Sequence, residues 1–499
     1  MLKTLLSAIL LSSPVTLAVT CDSLSKLSLP GSAIIHVETV SAGGFTQAGL
    51  NPRQGAILPA FCRVAATLKP SFDSEIKMEL WMPAANWNGK FMGVGNGGWS
   101  GVIGYPALAN ALERGYAAAS TNTGHDGGDA SFAAGHPEKL VDFAYRAVHE
   151  MTVKGKVLVE AFYGRAPARA YWNGCSSGGK QGLKEAQKFP RDYDGIIAGA
   201  PANYWTRLMA GDLWPAVVTQ KDPSAALPPA KLQILHKAAL EACDKTDGVP
   251  DGLIENPAAC HFDLATVQCK GDATEGCLTI PQVEAARKIY AGAHNPRTGK
   301  PIFPGMAPGS ELVWTALAGS KPLGIPVSHF QYVVFNDPNW NFLTLDFDKD
   351  VALADKLDNG LLNATDPNLE EFFAHGGKLI MYHGWNDQLI SPLNSIDYYG
   401  SVADKMGGAS KIDGSFRLFM APGMNHCGGG DGPSRVDYVT SIERWVEQGE
   451  APDRLIAAHI ANGDRTDRTR PLCPYPQVAR YKGQGSIDDA ANFACAALK

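Results

Sequence analysis

The sequence lacks the patterns of several common protein classes. It carries a formal net charge of -6 over 499 residues and contains no run of basic residues, which argues against a nucleic-acid partner. It has neither the G-x-x-x-x-G-K-S/T loop that binds nucleotide phosphates nor the H-E-x-x-H pattern of zinc peptidases. No C-x-x-C pair is present, so a zinc site is not expected either. These absences argue against nucleotide-binding, zinc-dependent and nucleic-acid-binding functions.

Long apolar runs are also missing. A short apolar run at residues 5–11 follows Lys3 and precedes a small-residue cleavage site at 16–18, which predicts a secretory signal over residues 1–18. A membrane anchor is the alternative, but the run is too short to span a bilayer. Thr20 is a poor residue to precede a lipidated Cys21. We therefore expect an exported protein, secreted or periplasmic, without a membrane partner.

Cysteine is abundant and even in number. Ten cysteines in an exported chain predict five disulfides. The spacing suggests four local pairs, which are Cys21–Cys62, Cys243–Cys260, Cys269–Cys277 and Cys473–Cys495. Cys175 and Cys427 then remain without a local partner.

One stretch suggests a chemical function. The β-prone residues 170–172 lead into a G-C-S-S-G motif at 174–178, and residues 179–189 are typical of a helix. This arrangement fits the G-x-S-x-G nucleophile elbow, in which a sharp turn presents a serine, here Ser176, beside the N-terminal dipole of a helix. A glycine- and serine-rich loop without catalytic meaning is the alternative, because short patterns recur by chance.

Residues 87–99 are predicted to form a strand that enters a glycine-rich loop at residues 95–98, upstream of the elbow. In α/β-hydrolases a loop in this position supplies an amide of the oxyanion hole. Glycine suits that role because the backbone itself must approach the substrate oxygen. We predict that the amides of Ser177 and Gly97 form the hole. A nucleotide-binding loop is the competing interpretation, but the phosphate-binding patterns are absent.

The order of predicted elements indicates the domain organisation. Strands and helices alternate up to about residue 202, which predicts a parallel sheet. Residues 203–364 contain helical segments, prolines and four closely spaced cysteines, and the alternation resumes afterwards. The sequence therefore predicts an α/β-hydrolase fold whose core, residues 19–202 and 365–499, is interrupted by a lid at 203–364. An independent linked domain is the alternative for the inserted part.

Two predicted strands after the insertion end in loops that carry a candidate acid and a candidate base. The strand at 378–382 leads to Asp387, and the strand at 416–420 leads to His426. Both loops are expected at the sheet edge that carries the elbow. The chain order serine, acid, histidine is that of α/β-hydrolases, so we predict the triad Ser176, Asp387 and His426.

Other residues compete for these roles. His383 lies on the same loop as Asp387, and His125 precedes the serine, which breaks the usual order. We expect both histidines to line or support the site. Asp194 is a weaker alternative acid. A lone Asp after a strand is usually a turn former, so the role of Asp387 depends on the serine.

The two cysteines without local partners flank the proposed nucleophile and base. If Ser176 and His426 lie within hydrogen-bond reach, their neighbours Cys175 and Cys427 come within the Cα separation of about 4.4–6.8 Å that a disulfide requires. The triad order and the cysteine count therefore select the same residues.

These motifs resemble those of the tannase/feruloyl esterase family over most of the mature chain. The family's G-C-S-x-G-G elbow, Y-H-G-x-x-D acid loop and P-G-x-x-H-C base loop correspond to residues 174–179, 382–387 and 422–427. The resemblance implies the same triad and a disulfide between Cys175 and Cys427. It also extends to the C-terminal stretches at 470–476 and 492–495.

The resemblance further implies a structural calcium ion in the lid and no organic cofactor. The loop at residues 243–253 packs three aspartates and two glycines closely together, and Ca²⁺ prefers carboxylate and carbonyl oxygens. A plain Asp/Gly turn held by a disulfide is the alternative. The implied ligands are the carboxylates of Asp244, Asp247 and Asp251 and the carbonyls of Val249 and Leu253.

By resemblance, the substrate is an aromatic ester: a feruloyl or other hydroxycinnamoyl ester, a galloyl ester, or mono(2-hydroxyethyl) terephthalate. The resemblance also allows for an ester that is attached to a plant polysaccharide or polyphenol. A terephthalate carboxylate favours a guanidinium in the pocket, yet no arginine occurs between Arg297 and Arg417. Although Arg207 and Arg287 remain, this favours an uncharged phenolic ester. Several aromatic residues of the lid can sandwich a substrate ring, although we expect more of them to lie in the core than in contact with substrate. They are Trp205, Trp214, Trp314, Phe330, Tyr332 and Trp340.

Two further functions stay open from the sequence. One is a non-catalytic protein that binds phenolics or carbohydrate on a hydrolase scaffold, and the other is a peptidase of the same fold. The intact serine, acid and histidine argue against the first, and the resemblance to esterases argues against the second.

Overall fold

The computed structural model describes residues 20–47, 49–461, 463 and 465–497. The predicted signal at residues 1–18 lies outside these ranges. No helix in the described ranges combines the length and the apolar character needed to cross a membrane.

Nine strands form one central sheet in the order β1-β2-β3-β5-β4-β6-β7-β10-β11, and three strand pairs form separate small sheets. The strands are β1 (Ser32–Val40), β2 (Phe61–Leu68), β3 (Ile76–Pro83), β4 (Lys90–Val94), β5 (Ala117–Thr121), β6 (Arg169–Cys175), β7 (Gly195–Gly199), β8 (Ala293–His294), β9 (Pro301–Phe303), β10 (Lys378–Gly384), β11 (Phe416–Ala421), β12 (Leu455–Ala461), β13 (Arg465–Leu472), β14 (Gln477–Tyr481) and β15 (Phe493–Ala497).

The central sheet is mixed, which corrects the prediction of a parallel sheet for the first part of the chain. Strands β1, β2, β3 and β5 pair antiparallel with one another in that order. The remaining pairs, from β5 through β4, β6, β7 and β10 to β11, are parallel. The connection from β2 to β3, residues 69–75, is too short for the crossover that a parallel pair requires. The parallel part is the part that carries the elbow.

Helices cover both faces of the sheet and make up much of the insertion. A π-helical turn, Asp142–Arg146, lies within the helix predicted over residues 139–163. The helices are α1 (Pro52–Ile57), α2 (Tyr105–Glu113), α3 (Pro137–Val141), α4 (Ala147–Tyr163), α5 (Ser177–Lys188), α6 (Trp205–Gln220), α7 (Pro229–Cys243), α8 (Ile280–Ala291), α9 (Thr315–Ala318), α10 (Gly324–Ser328), α11 (Lys349–Asp358), α12 (Glu370–Ala374), α13 (Leu393–Lys405), α14 (Ala409–Ile412) and α15 (Tyr438–Gln448).

The core consists of two apolar layers, one on each face of the sheet. Successive side chains of a strand point to opposite faces, and β6 shows this directly. Trp172 packs in the layer that includes α4, α5 and α13, whereas Tyr171 packs in the layer that includes α2 and α15. Because both side chains are fully buried, the strands that lead to the site are held from both sides.

The segment between β7 and β10, residues 200–377, contributes no strand to the central sheet. It contains helices α6 to α12 and the β8–β9 pair. One of its apolar clusters includes Trp205 and Phe330 together with Trp99 and Phe143 from the first part of the chain. The insertion therefore packs on the loops of the sheet domain and is not separated from them by solvent.

The structure forms five disulfides, and no free cysteine remains in the described ranges. Four of them close 8 to 41 residues: Cys21–Cys62, Cys243–Cys260, Cys269–Cys277 and Cys473–Cys495. The fifth, Cys175–Cys427, closes 252 residues. A chain with this many disulfides is typical of an oxidising compartment.

Candidate active site

The nucleophile elbow lies between β6 and α5. Ser176 adopts φ 63° and ψ -122°, a backbone conformation that a non-glycine residue rarely adopts without a local reason. Its amide donates to the carbonyl of Gly199 at 2.9 Å, and its carbonyl accepts from Lys180 at 3.0 Å. These bonds hold the strained turn, so that Ser176 stands at the carboxyl end of β6 and the amino end of α5.

Glycines are required at the elbow because backbone packs directly on backbone there. A Cβ at Gly174 would lie 2.6 Å from the carbonyl of Gly178, and a Cβ at Gly95 would lie 2.5 Å from the Cα of Gly178. The G-x-S-x-G spacing thus permits both the turn and the close approach of the glycine-rich loop.

The glycine-rich loop is fixed to helix α5 by side chains of that helix. Ser177 Oγ donates to the carbonyl of Gly98 at 2.9 Å, and Gln181 Oε1 accepts from the amide of Asn96 at 3.2 Å. Gly97 is exposed, and an added Cβ there would meet no atom within 4 Å. The backbone at Gly97 is therefore accessible beside the elbow, while its neighbours are held.

The acid loop follows β10. Asp387 is fully buried, and its Oδ1 accepts from the amides of Leu389 at 2.8 Å and Ile390 at 2.9 Å. Its Oδ2 lies 2.7 Å from His426 Nδ1 and 3.1 Å from His383 Nε2. The carboxylate is therefore oriented by two amides on one oxygen and two imidazoles on the other.

The charge of Asp387 is stabilised by its partners. Burial by itself raises the pKa of a carboxyl group, but the charge of His426 and the hydrogen bonds from His383 and His426 outweigh burial and hold the pKa of Asp387 well below its usual value. The carboxylate stays ionised and can accept a hydrogen bond from the Nδ1–H of His426.

The base loop follows β11, the neighbour of β10 in the sheet. The amide of His426 donates to Gln388 Oε1 at 3.0 Å, and its imidazole side chain is 12% exposed. Cys427 and Cys175 are bonded with a Cα separation of 5.9 Å, which joins the base loop to the elbow. In the described residues no direct hydrogen bond joins His426 to Ser176 Oγ, a contact that in free enzymes often tightens only when substrate binds.

The rival residues take other positions. His383 is buried between Asp387, the carbonyl of Ile390 and Ser395 Oγ, so it supports the acid and has no access to the nucleophile. His125 stacks on Phe132 and lies 2.7 Å from the carbonyl of Trp99, so it supports the glycine-rich loop.

Asp194 lies at the amino ends of the parallel strands, opposite to the ends that carry Ser176, Asp387 and His426. It precedes β7, and its Oδ2 accepts from the amide of Ala170 at 2.8 Å where β6 begins. An acid at the amino end of a parallel strand is one strand length away from groups at the carboxyl end. Asp194 is therefore not the partner of His426.

The lid contributes a second buried carboxyl group near the acid. Asp212 on α6 is buried, and burial together with the negative charge of Asp387 raises its pKa well above the usual value. Sequence reasoning missed this residue, as it missed Gln388 and Ser395. Gln388 directly follows Asp387, so its position in the sequence could have indicated a role. Asp212 and Ser395 lie near Asp387 only because α6 and α13 pack there.

The aspartate-rich loop of the lid has the oxygen donors of a calcium site, but some of its carboxylates already form ion pairs and hydrogen bonds within the protein. Asp251 pairs with Arg470 and Arg468. Burial and nearby acids raise the pKa of Asp247 to about 6. Asp244 accepts from the amides of residues 251 and 252. In the described structure, the ligand atoms of the three acids do not all come within 4.8 Å of one another.

The lid arginines and aromatic residues are mostly committed to other contacts. Arg207 pairs with Asp355, and Arg287 pairs with Glu284, each at 3.3 Å on exposed surface. Of the six aromatic residues considered from the sequence, three are buried in the core: Trp205, Trp314 and Phe330. The other three are half-buried: Trp214, Tyr332 and Trp340.

Comparison with known proteins places this arrangement in a family. The family profile described as tannase and feruloyl esterase matches residues 62–496. An uncharacterized esterase of Xanthomonas campestris pv. campestris is 38% identical and covers 99% of this chain and 94% of its own. The probable feruloyl esterase B-2 of Aspergillus terreus is 36% identical, over 87% of this chain and 86% of its own.

Solved structures agree. The crystal structure of feruloyl esterase B from Aspergillus oryzae superposes with a TM-score of 0.90 at 33% identity, covering 95% of this chain and 99% of that chain. The predicted α/β-hydrolase fold and the family resemblance are both confirmed. The chain belongs to the tannase and feruloyl esterase family of carboxylic ester hydrolases.

Proposed function

We propose that this protein hydrolyses esters of aromatic acids through an acyl-enzyme formed on Ser176. The observation that carries the proposal is the hydrogen bond between His426 Nδ1 and Asp387 Oδ2, beside a disulfide that ties the base loop to the elbow. A serine needs a base to remove its proton, and the base needs a partner that fixes its tautomer. The three residues supply these three roles.

The proposed reaction has two halves. In the first, His426 Nε2 takes the Ser176 proton while Oγ attacks the ester carbonyl carbon; the bond to the alcohol oxygen then breaks, and the alcohol leaves with the proton from His426. In the second, His426 takes a proton from water, the hydroxide attacks the acyl carbon, and Ser176 Oγ leaves with that proton, which frees the acid. Asp387 stabilises the imidazolium in both halves.

Backbone amides are proposed to stabilise the negative oxygen of each tetrahedral intermediate. The amide of Ser177 opens α5 directly after the nucleophile, and Gly97 is exposed on the loop that Ser177 Oγ fixes. Preorganised donors of this kind are among the largest contributions to acyl transfer. We assign the oxyanion hole to the amides of Ser177 and Gly97.

The substrate is proposed to be an uncharged phenolic ester, of the hydroxycinnamoyl, feruloyl or galloyl kind, free or attached to a plant polysaccharide or polyphenol. The support is twofold: relatives carry the name feruloyl esterase, and Arg207 and Arg287 are paired with acids on the lid surface. A terephthalate monoester, whose carboxylate needs a cationic partner, is the second candidate.

The lid is proposed to hold a structural Ca²⁺ ion, with the carboxylates of Asp244, Asp247 and Asp251 and the carbonyls of Val249 and Leu253 as ligands. The support is chemical, because the set consists of hard oxygen donors that one short loop brings together. The ion would stabilise the loop and takes no part in the reaction steps above.

Export to the periplasm or the medium is proposed from the predicted signal and the five disulfides. A reducing compartment would not maintain them.

The test is hydrolysis of p-nitrophenyl acetate by the Ser176→Ala variant. We expect a loss of roughly three to four orders of magnitude or more in kcat, with an unchanged far-ultraviolet circular dichroism spectrum. Ser401→Ala, which removes a half-buried hydroxyl on α13 that donates to the carbonyl of Asp397, is the control and should retain full activity. Equal activity of the Ser176→Ala variant would overturn the proposal, and an inactive wild type that binds ferulate would favour the non-catalytic alternative.

A panel of methyl ferulate, methyl gallate and mono(2-hydroxyethyl) terephthalate tests the substrate class. We expect kcat/KM to be highest for one of the two phenolic esters. A preference for the terephthalate monoester would reject the uncharged class and keep the triad assignment.

A further inference from the structure

Three potential metal ligands meet at the far end of the nucleophile helix. His149 comes from α4, Glu185 from the last turn of α5, and Asp192 from the turn that leads to β7. One ligand atom from each lies within 4.8 Å of the other two, and no other such set of three residues occurs in the described part of the chain. Two ligands bound to one tetrahedral zinc ion are about 3.3 Å apart, so small side-chain shifts bring all three into range.

Glu185 is the unusual member of the set. Its side chain is 1% exposed, and neither carboxylate oxygen has a hydrogen-bond partner in the described structure. A buried carboxylate without partners is costly. Because Asp192 lies beside it, a second negative charge adds to that cost, and a cation held between the two carboxylates would remove it.

The neighbouring groups leave the ligand atoms available. Lys156 donates to the main-chain carbonyl of Asp192 and to neither carboxylate. The imidazole of His149 stacks on Phe189 with a centroid distance of 3.7 Å, which fixes the ring plane while Nδ1 faces Asp192 at 2.7 Å. The His149 side chain is 28% exposed and that of Asp192 14%, so an ion can enter from solvent.

We propose that His149, Glu185 and Asp192 bind a divalent transition-metal ion, for which Zn²⁺ is the natural probe. One imidazole nitrogen and two carboxylates are a donor set that zinc accepts, with water at the fourth position. His149 binds through Nδ1 as the neutral imidazole with its proton on Nε2. When the ion binds, the proton between His149 Nδ1 and Asp192 moves to Nε2 or is released to solvent, and a proton carried by Glu185 is released to solvent, so that both carboxylates are ionised.

The site acts on stability and not on the reacting atoms. Glu185 is nine residues after Ser176, which corresponds to roughly 13 Å along a helix axis. The ion cross-links α4, the end of α5 and the turn before β7. It therefore anchors the helix whose first turn supports the elbow.

The experiment measures zinc retained after gel filtration, by inductively coupled plasma mass spectrometry, and the zinc-dependent rise in Tm. The full chain is used in saturating Ca²⁺, so that sites for hard cations are filled. The test variants are Glu185→Gln and, in case it does not fold, His149→Gln. His459→Gln is the matched control, because His459 forms an exposed pair with Asp467 at 2.7 Å and has no third ligand in the described structure.

We expect the wild type and His459→Gln to retain about one equivalent of zinc and to gain Tm on its addition, since a closed three-ligand set gives a defined stoichiometry. Glu185→Gln and His149→Gln should bind zinc at least about tenfold more weakly. The proposal is overturned if the wild type retains no zinc, if both test variants bind as tightly as the wild type, or if His459→Gln loses the ion.

Discussion

The sheet edge that carries the proposed triad and the inserted segment at residues 200–377 are held in place by different constraints. At the edge, Asp387 and His426 follow the adjacent parallel strands β10 and β11, whose register is fixed by the backbone. A single disulfide that closes 252 residues then joins the base loop to the elbow. In the insertion, which adds no strand to the central sheet, the two disulfides close only 17 and 8 residues.

The long-range and the short-range disulfides therefore have different roles. The long-range disulfide, Cys175–Cys427, restrains the relative position of two loops that the chain brings from distant parts. The short-range disulfides stabilise local turns in a segment that has little regular sheet. We therefore expect damage at the edge to affect turnover first, and damage in the insertion to affect stability first.

The largest effect is expected at the acid. Asp387→Asn should lower kcat about 10⁴-fold, because the amide favours the wrong imidazole tautomer and removes the counter-charge of His426. Asp212→Asn is the matched control: burial and the negative charge of Asp387 raise the pKa of Asp212 and so favour its neutral form, which Asn mimics, and activity should change little. Steady-state kinetics on a p-nitrophenyl ester measure kcat for both variants. An equal loss of kcat in the two variants would contradict a specific role of Asp387 as the partner of His426.

The second effect concerns the long-range disulfide. Replacing Cys175 and Cys427 together by Ala should lower the free energy of unfolding by about 5 kcal/mol, because the closed loop is long. Displacement of the base loop by about 1 Å is enough to lower kcat by about 10²-fold. Urea unfolding and kinetics at a temperature where the variant stays folded separate the two effects. Unchanged kcat in the folded variant would contradict a positioning role.

The third effect tests the calcium proposal in the insertion. Chelation with EGTA should lower Tm, and a Ca²⁺ concentration of about 100 times Kd should restore about 2.7 kcal/mol of stability. Differential scanning calorimetry with and without Ca²⁺ measures this, and Asp247→Asn should remove the response. A Tm that is insensitive to Ca²⁺ in the wild type would leave the loop a plain turn.

The smallest effect is expected at the shortest disulfide. Replacing Cys269 and Cys277 by Ala should cost at most about 2.5 kcal/mol, because the closed loop is short, and kcat should stay unchanged. Measured beside the Cys175 and Cys427 variant, this pair tests the comparison directly. A larger loss of kcat in the Cys269 and Cys277 variant than in the Cys175 and Cys427 variant would contradict the comparison.

Much of the fold was predictable from local patterns. The motif around Ser176, the strand-to-loop transitions before Asp387 and His426, and the interruption of the sheet by a long segment all follow from residues that are neighbours in the chain. Whether neighbouring strands pair parallel or antiparallel was less predictable from the sequence. The first strands of the sheet were expected to be parallel and are antiparallel, because the short link between β2 and β3 outweighs the overall alternation.

The supporting residues of the candidate site were harder to predict. His383 and His125 were expected near the site, but their partners were not: Ser395 and Ile390 for one, Trp99 and Phe132 for the other. Such contacts have no period or motif in the sequence. They depend on which helix packs over which strand end.

The sequence by itself determined the chemical groups, their order along the chain and the family to which they point, since these depend on residue type and local spacing. Only the tertiary structure decided which side chains orient Asp387, which lid groups are already paired, and that His149, Glu185 and Asp192 meet at the end of α5. The physical reason is that hydrogen bonds and charge pairs between distant segments are fixed by packing in three dimensions, where burial of a polar group requires a partner that the linear pattern does not name.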